Sequence, residues 1–188
     1  MLNQATDVLY SRARDRGQWG QVWSALTGRS RCLLALDEIE ATCAVHTCRD
    51  AEIRTVPISQ IRGSDGRSDD FDCDFNPLQD HNKRRWLSVA AARRRGKALP
   101  PVKLVQVGDV YFVCDGHHRI SVARAMGQQD IEAKVMVWRV SGPLPWERSV
   151  VATTSQTKRR RLGGSRTNVD TPILNVLSTF FQRSHVGG

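Results

Sequence analysis

The sequence predicts an α+β fold, a small mixed β-sheet with helices packed on it. Three observations carry that expectation. Val110-Tyr-Phe-Val-Cys114 is a run of β-branched and aromatic residues suited to a buried strand, and Asp115-Gly116 ends it. From His117 the spacing turns helical, with Ile120, Ala123 and Gly127, and Val122 and Met126, three and four residues apart. Val102 to Val107 is joined to Val110 by Gly108-Asp109, a tight hairpin signal, and Ile131 to Trp138 supplies a further strand.

Taken in order, residues 5–27 suit one helix with Val8, Trp19, Val22, Trp23 and Leu26 as its apolar side and Gly28 as its stop. Arg12, Arg14 and Arg16 flank that side and fit a solvated face better than a nucleic-acid patch. Leu33 to Ile39 is a second short apolar segment with Asp37 and Glu38 outward. Cys43-Ala-Val-His46-Thr-Cys48 resembles part of a metal site, but no Cys-x-x-Cys pair completes a four-ligand set, so buried or incidental thiols are expected. Arg54 to Ile61 forms the first core strand, with Pro57 tolerable near a strand start or edge.

The following loop, Gly63 to Pro77, gathers Asp65, Asp69, Asp70, Asp72 and Asp74 around Arg67. Such a loop is either plain polar surface or a seat for Mg²⁺, with Asp70 and Asp72 as the ligands. A helix capped by Asp80 runs to Arg95, with Trp86, Val89, Ala90 and the Arg93 stem inward. Its outer side is basic. Arg84, Arg85, Arg93 and Arg94 are the candidates there for contact with DNA, against a solvated face.

At 188 residues, 40% hydrophobic and 25% charged, the chain suits one compact domain with extensions. The expected organisation is a helical extension over 1–52, the α+β domain over 53–140, and a basic linker with a short amphipathic helix over 141–188. No apolar run reaches membrane-spanning length, no signal peptide is evident, and the five cysteines show no framework spacing. Those features point to a cytoplasmic protein with no membrane partner. Residues 151–188 hold six Lys and Arg against Asp170 alone, a balance that favours polyanions. Within them Ile173, Leu174, Val176, Leu177, Phe180 and Phe181 follow helical spacing, an apolar stripe suited to docking on its own domain or on a twin, which allows a homodimer.

A strand, a glycine turn and a helix start bring free backbone N–H groups to one point, a geometry that attracts phosphate. Gly116, His117, His118 and Arg119 therefore form the candidate phosphate cradle. Asp115-Gly-His-His-Arg119, with Ala123 and Gly127 behind it, resembles the signature box of the ParB/sulfiredoxin superfamily. Val56-Pro-Ile-Ser-Gln-Ile61, Leu99-Pro-Pro-Val-Lys-Leu104 and Ile131-Glu-Ala-Lys-Val135 resemble its core strands, so the likeness spans 53–140. It is nearest to short bacterial ParB-like proteins in which Ile-x-Gly-Ser, Asp-Phe-Asp and Asp-Gly-x-His-Arg recur.

The resemblance implies a ParB/sulfiredoxin-like fold and binding of ATP or CTP with Mg²⁺, with NTP hydrolysis or phosphate transfer to a small acceptor as the reaction. The superfamily's free-serine kinase shares the box, and that likeness implies Asp115, His117 and His118 as the candidate catalytic groups, against Asp115 as a mere cap of the helix and one histidine as a packing residue. Sulfiredoxin chemistry is not expected, because its nucleophilic cysteine aligns with His117 while Cys114 lies three residues earlier. A partition role is not expected either, since no helix-turn-helix region follows. The alternative is a DNA-associated module, binding or cutting DNA through the basic helix and tail.

Overall fold

The computed structural model describes residues 2–28, 32–67 and 69–146. The basic segment at 158–161 and the apolar stripe at 173–181 lie outside them. Met1–Gly142 form one compact unit, and Pro143–Gly188 a second, of which only 143–146 are described.

The first unit is α+β. Its described strands are β1 (Leu34–Ala35), β2 (Ala44–Pro57), β3 (Ile61–Ser64), β4 (Val102–Val107), β5 (Val110–Asp115) and β6 (Asp130–Ser141). They form one mixed sheet in the order β1-β3-β5-β4-β6-β2. The β4–β5 hairpin and the β2–β6 pair are antiparallel; β1–β3, β3–β5 and β4–β6 are parallel. The helices are α1 (Leu2–Thr27), α2 (Leu36–Thr42), α3 (Lys83–Arg94) and α4 (His117–Ala125).

Val110 to Cys114 are all buried, as their unbroken apolarity required. One core cluster joins Val56, Ile58, Leu104, Val113, Ile120 and Val135 with Phe71 and Phe75 from the acidic loop. Pro57 ends β2, one of the two edge strands of the described sheet, where a missing N–H is tolerated. That strand begins at Ala44, ten residues before the expected Arg54, and pairs along nearly its whole length with β6.

Asp80 does not cap α3. A short 3-10 turn over Asp80–Asn82 precedes the helix, and the Asp80 carboxylate pairs with Arg14 of α1 instead. Trp86 and Ala90 are buried as expected, and Trp86 Nε1 donates to Ser121 Oγ of α4 at 2.8 Å. Tyr10 of α1 meets the Trp86 ring edge-on with centroids 5.4 Å apart.

The helix expected over 5–27 is present, but it is turned the other way. Thr6, Tyr10, Ala13, Gly17 and Gly20 face the body, while Val8, Trp19, Val22, Trp23 and Leu26 face out. Close approach explains the choice: a Cβ on Gly17 would meet Leu78, Asn76 and the Pro77 carbonyl at 3.1–3.2 Å. Small residues let the backbone settle there, and the tryptophans on the opposite side stay exposed. Among the described residues no helix is long and apolar enough to cross a membrane.

Candidate functional site

Parallel pairing places the C-terminal ends of β3 and β5 side by side, and α4 starts at that same end. Two glycines make the junction. Gly63 lies under the Phe112 ring, where any Cβ would collide. Gly116 adopts φ 108° between β5 and α4, and a Cβ there would stand 2.6 Å from Val102 Cγ1. The polypeptide can turn from strand to helix in one residue only with glycine at this point.

The turn buries both histidines. His117 Nε2 shares a 2.7 Å hydrogen bond with Ser64 Oγ, which also accepts from the Arg67 backbone N–H. The Phe71 ring stacks on His117 with centroids 6.0 Å apart and meets His118 edge-on at 5.5 Å. Burial pushes the His117 imidazole down to about 4, and Arg67 adds to the effect. Burial also pushes His118 down to about 4, assisted by Arg85 and Arg67 and opposed by Asp70. At neutral pH both rings are uncharged donors and acceptors, not cations. His118 Nδ1 is buried and has no hydrogen-bond partner.

Arg119 leaves this group. Its Nη2 donates to Asp115 Oδ2 at 2.7 Å, and its Nη1 donates to the Pro100 and Pro101 carbonyls at 2.5 and 3.0 Å. The expected cradle is therefore divided. His117 and His118 face Ser64 and Phe71, while the Arg119 guanidinium staples the helix start to the segment before β4. On that side a cleft of about 470 Å³ opens among Arg93, Lys97, Pro100, Arg119, Gln128 and Glu132. Arg93 spends its charge within this cleft, donating to Gln128 Oε1.

Of the acidic loop's carboxylates Asp72 is turned inward, while Asp69 is exposed. Asp72 is buried, its Oδ1 accepting from the Asp74 and Asn76 backbone N–H groups and its Oδ2 from Asn76 Nδ2 at 3.0 Å. These bonds hold a loop in which Phe75 takes a left-handed φ of 56° to reach the core. Asp70 faces Arg67 at 3.6 Å and His81 at 3.3 Å, and Arg124 holds Asp74 at 2.8 Å. Asp72 is thus committed to its own loop and Asp70 faces Arg67 and His81, and no group of three His, Cys, Asp or Glu able to hold a metal occurs among the described residues. Burial raises the Cys114 thiol, with Asp65 and Asp115 adding to the effect, so it is no thiolate nucleophile. No disulfide joins Cys32, Cys43, Cys73 and Cys114.

Charge comes from the neighbouring helix. Lys83, Arg84 and Arg85 occupy the first turn of α3, the positive end of its dipole, and no acidic residue accompanies them in that turn. All three are exposed, as is Arg94 at the other end, whereas Arg93 is half-buried. Arg85 acts on His118 strongly enough to depress it. Two helix starts and two arginines thus bias one corner toward anions. Sequence reasoning passed over Ser64, Arg67 and Phe71 as members of this corner. An aromatic residue between aspartates was the available signal for Phe71, since such a side chain in a polar loop must find a core.

No family model matches the chain, and no curated protein matches it. Among solved structures the chain is similar to a sulfiredoxin from Arabidopsis thaliana, at 20% identity over 45% of this chain and 83% of that one, with a TM-score of 0.33.

Proposed function

We propose that the chain is a ParB/sulfiredoxin-type domain that binds the phosphates of a nucleoside triphosphate at the start of α4. The single observation that carries the reading is the buried, unpartnered Nδ1 of His118. A buried polar atom without a partner costs free energy, on the order of 1–3 kcal/mol, and an arriving acceptor oxygen recovers it. With its proton on Nδ1 the neutral ring donates a hydrogen bond, while Arg67, Arg85 and the helix dipole supply the attraction. Gly116 opens α4, whose first backbone N–H groups have no intrahelical partner and add donors for an anion. Mg²⁺ accompanying ATP or CTP is held by phosphate oxygens and water rather than by Asp70 or Asp72.

The reading places binding ahead of catalysis. Of the three candidate catalytic groups, His117 is engaged by Ser64 and Asp115 by Arg119, which leaves His118 with an unpartnered ring nitrogen. A phosphotransferase or NTPase role adds the requirement that Asp115 serve as base, and Arg119 would first have to yield it.

Thermal unfolding with ATP, CTP, tripolyphosphate and inorganic phosphate, with and without Mg²⁺, tests the proposal. Ligand at a hundred times its Kd stabilises by about 2.7 kcal/mol, roughly 5–10 °C in a chain of this size. The shift should vanish in His118→Ala and persist in Arg94→Ala. No shift with any phosphate, or one that His118→Ala retains, excludes the site.

A second reading, a DNA-associated module, is favoured by the uncompensated Lys83, Arg84 and Arg85 turn and by exposed Arg94. Duplex retention lost in Arg84→Ala and Arg85→Ala but kept in His118→Ala would support it.

A further inference from the structure

We propose that the outer face of α1 is a homodimer surface, on which a second copy of the chain lays its own α1 in the antiparallel direction. Trp19, Trp23 and Leu26 are 73%, 64% and 76% exposed, and Val8 and Val22 are half exposed. Their spacing puts them on one face of the helix, opposite the buried Tyr10, Ala13 and Gly17. Rolling the helix to bury this face would break the close seat of Gly17 against the 76–78 segment, where a Cβ would meet Leu78, Asn76 and the Pro77 carbonyl at 3.1–3.2 Å.

The two tryptophans, with Leu26 and Val22, present an apolar area on the order of 500 Å². That is at the upper end of what a monomer leaves uncovered. Doubled across a twofold axis it approaches the roughly 1,000 Å² that a specific interface requires, before the flanking polar residues are added.

Charge placement selects a second copy as the occupant. Asp15 stands among Arg12 and Arg16 on the same exposed face. A twofold axis crossing between Asp15 and Arg16 sets Asp15 of each copy against Arg16 of the other. The same register sets Arg12 over Trp19 and Val8 against Trp23, in both directions at once. One rotation therefore yields two ion pairs, two cation–π contacts and two apolar contacts from a single helix. Val8 lies three turns from the tryptophans, and this register gives its exposure a purpose.

The full chain should sediment as a dimer at micromolar concentration. Trp19→Glu with Trp23→Glu should leave a monomer whose unfolding temperature, measured below the dimer's dissociation range, matches the unaltered chain, since neither side chain packs on the body. Asp15→Arg alone and Arg16→Asp alone should each abolish the dimer, and the two together should restore it. A chain that is monomeric throughout overturns the proposal, whether the face stays bare or the 173–181 stripe covers it. A dimer that survives the tryptophan changes, or a charge exchange that fails to restore it, overturns it equally. Capture of the monomer by anionic vesicles through the same tryptophans would assign the face to a membrane surface and end the proposal.

Discussion

His117 and His118 are adjacent, equally buried and equally averse to protonation, yet they differ in what they leave open. Ser64 and Phe71 fix the first ring, whereas the second keeps one nitrogen without a partner. Their shared aversion has a consequence for stability. In the unfolded chain an imidazole takes up its proton near 6.5; in the fold both hold out to about 4. Between those values the unfolded state binds more protons, so this contribution is complete above about pH 6.5 and is lost as pH falls toward 4. Asp65 and Glu40, raised chiefly by burial, act in the opposite sense, since the fold takes up their protons more readily than the open chain does. Replacing one ring isolates its share. Urea midpoints between pH 7 and 4.5 should fall less steeply for His118→Asn than for the unaltered chain. Parallel curves would mean that His118 is protonated in the fold as easily as outside it.

At the scale of elements, the hinge of the site is the one-residue passage from β5 to α4. Gly116→Ala forces a side chain into a left-handed conformation and against Val102. The two costs together predict a loss of about 2–4 kcal/mol in denaturant unfolding. A loss under 1 kcal/mol would show that the turn relaxes freely and does not determine where the histidines stand. This passage was legible in the sequence because everything that makes it is local: an apolar run, a glycine, then a change of period. The orientation of α1 was not, because its apolar residues advertise one face while two glycines and an alanine dock the other. A close contact between Gly17 and a segment some sixty positions away leaves no periodic trace. The early start of β2 escaped for a related reason: β6 supplies its pairing partner, and a register shift between Arg49 and Glu52 breaks its alternation. Asp72 shows the limit in chemistry. Its residue type is the same whether the carboxylate serves a cation or, as here, its own loop.

For the whole unit, the same three-helix junction joins the N-terminal helix to the domain behind it. Tyr10, Trp86 and Ser121 link α1, α3 and α4 through one ring contact and one buried hydrogen bond. Tyr10→Ala should therefore cost about 3 kcal/mol and leave a single unfolding transition; two separated transitions would make residues 1–52 a domain of their own.

The last question is electrostatic and concerns the full chain, whose 28 Lys and Arg exceed its 19 Asp and Glu by nine. Such an excess retains any polyanion in weak salt, so retention alone identifies nothing. The discriminating quantity is the pairing of two sensitivities. Exposed α3 arginines and the tail act through phosphate charge, and neutralising about four phosphates predicts roughly a hundredfold loss of duplex affinity between 50 and 200 mM salt. The corner at His118 adds to the exposed charges of Arg67 and Arg85 a neutral donor in a buried setting, where screening is weak. Nucleotide stabilisation should thus fall less over the same change in salt than duplex retention does and should disappear in His118→Ala, a substitution that duplex retention should survive. If one substitution removed both, nucleotide and duplex would share a single surface, and the separation between the buried corner and the basic helix would be abandoned.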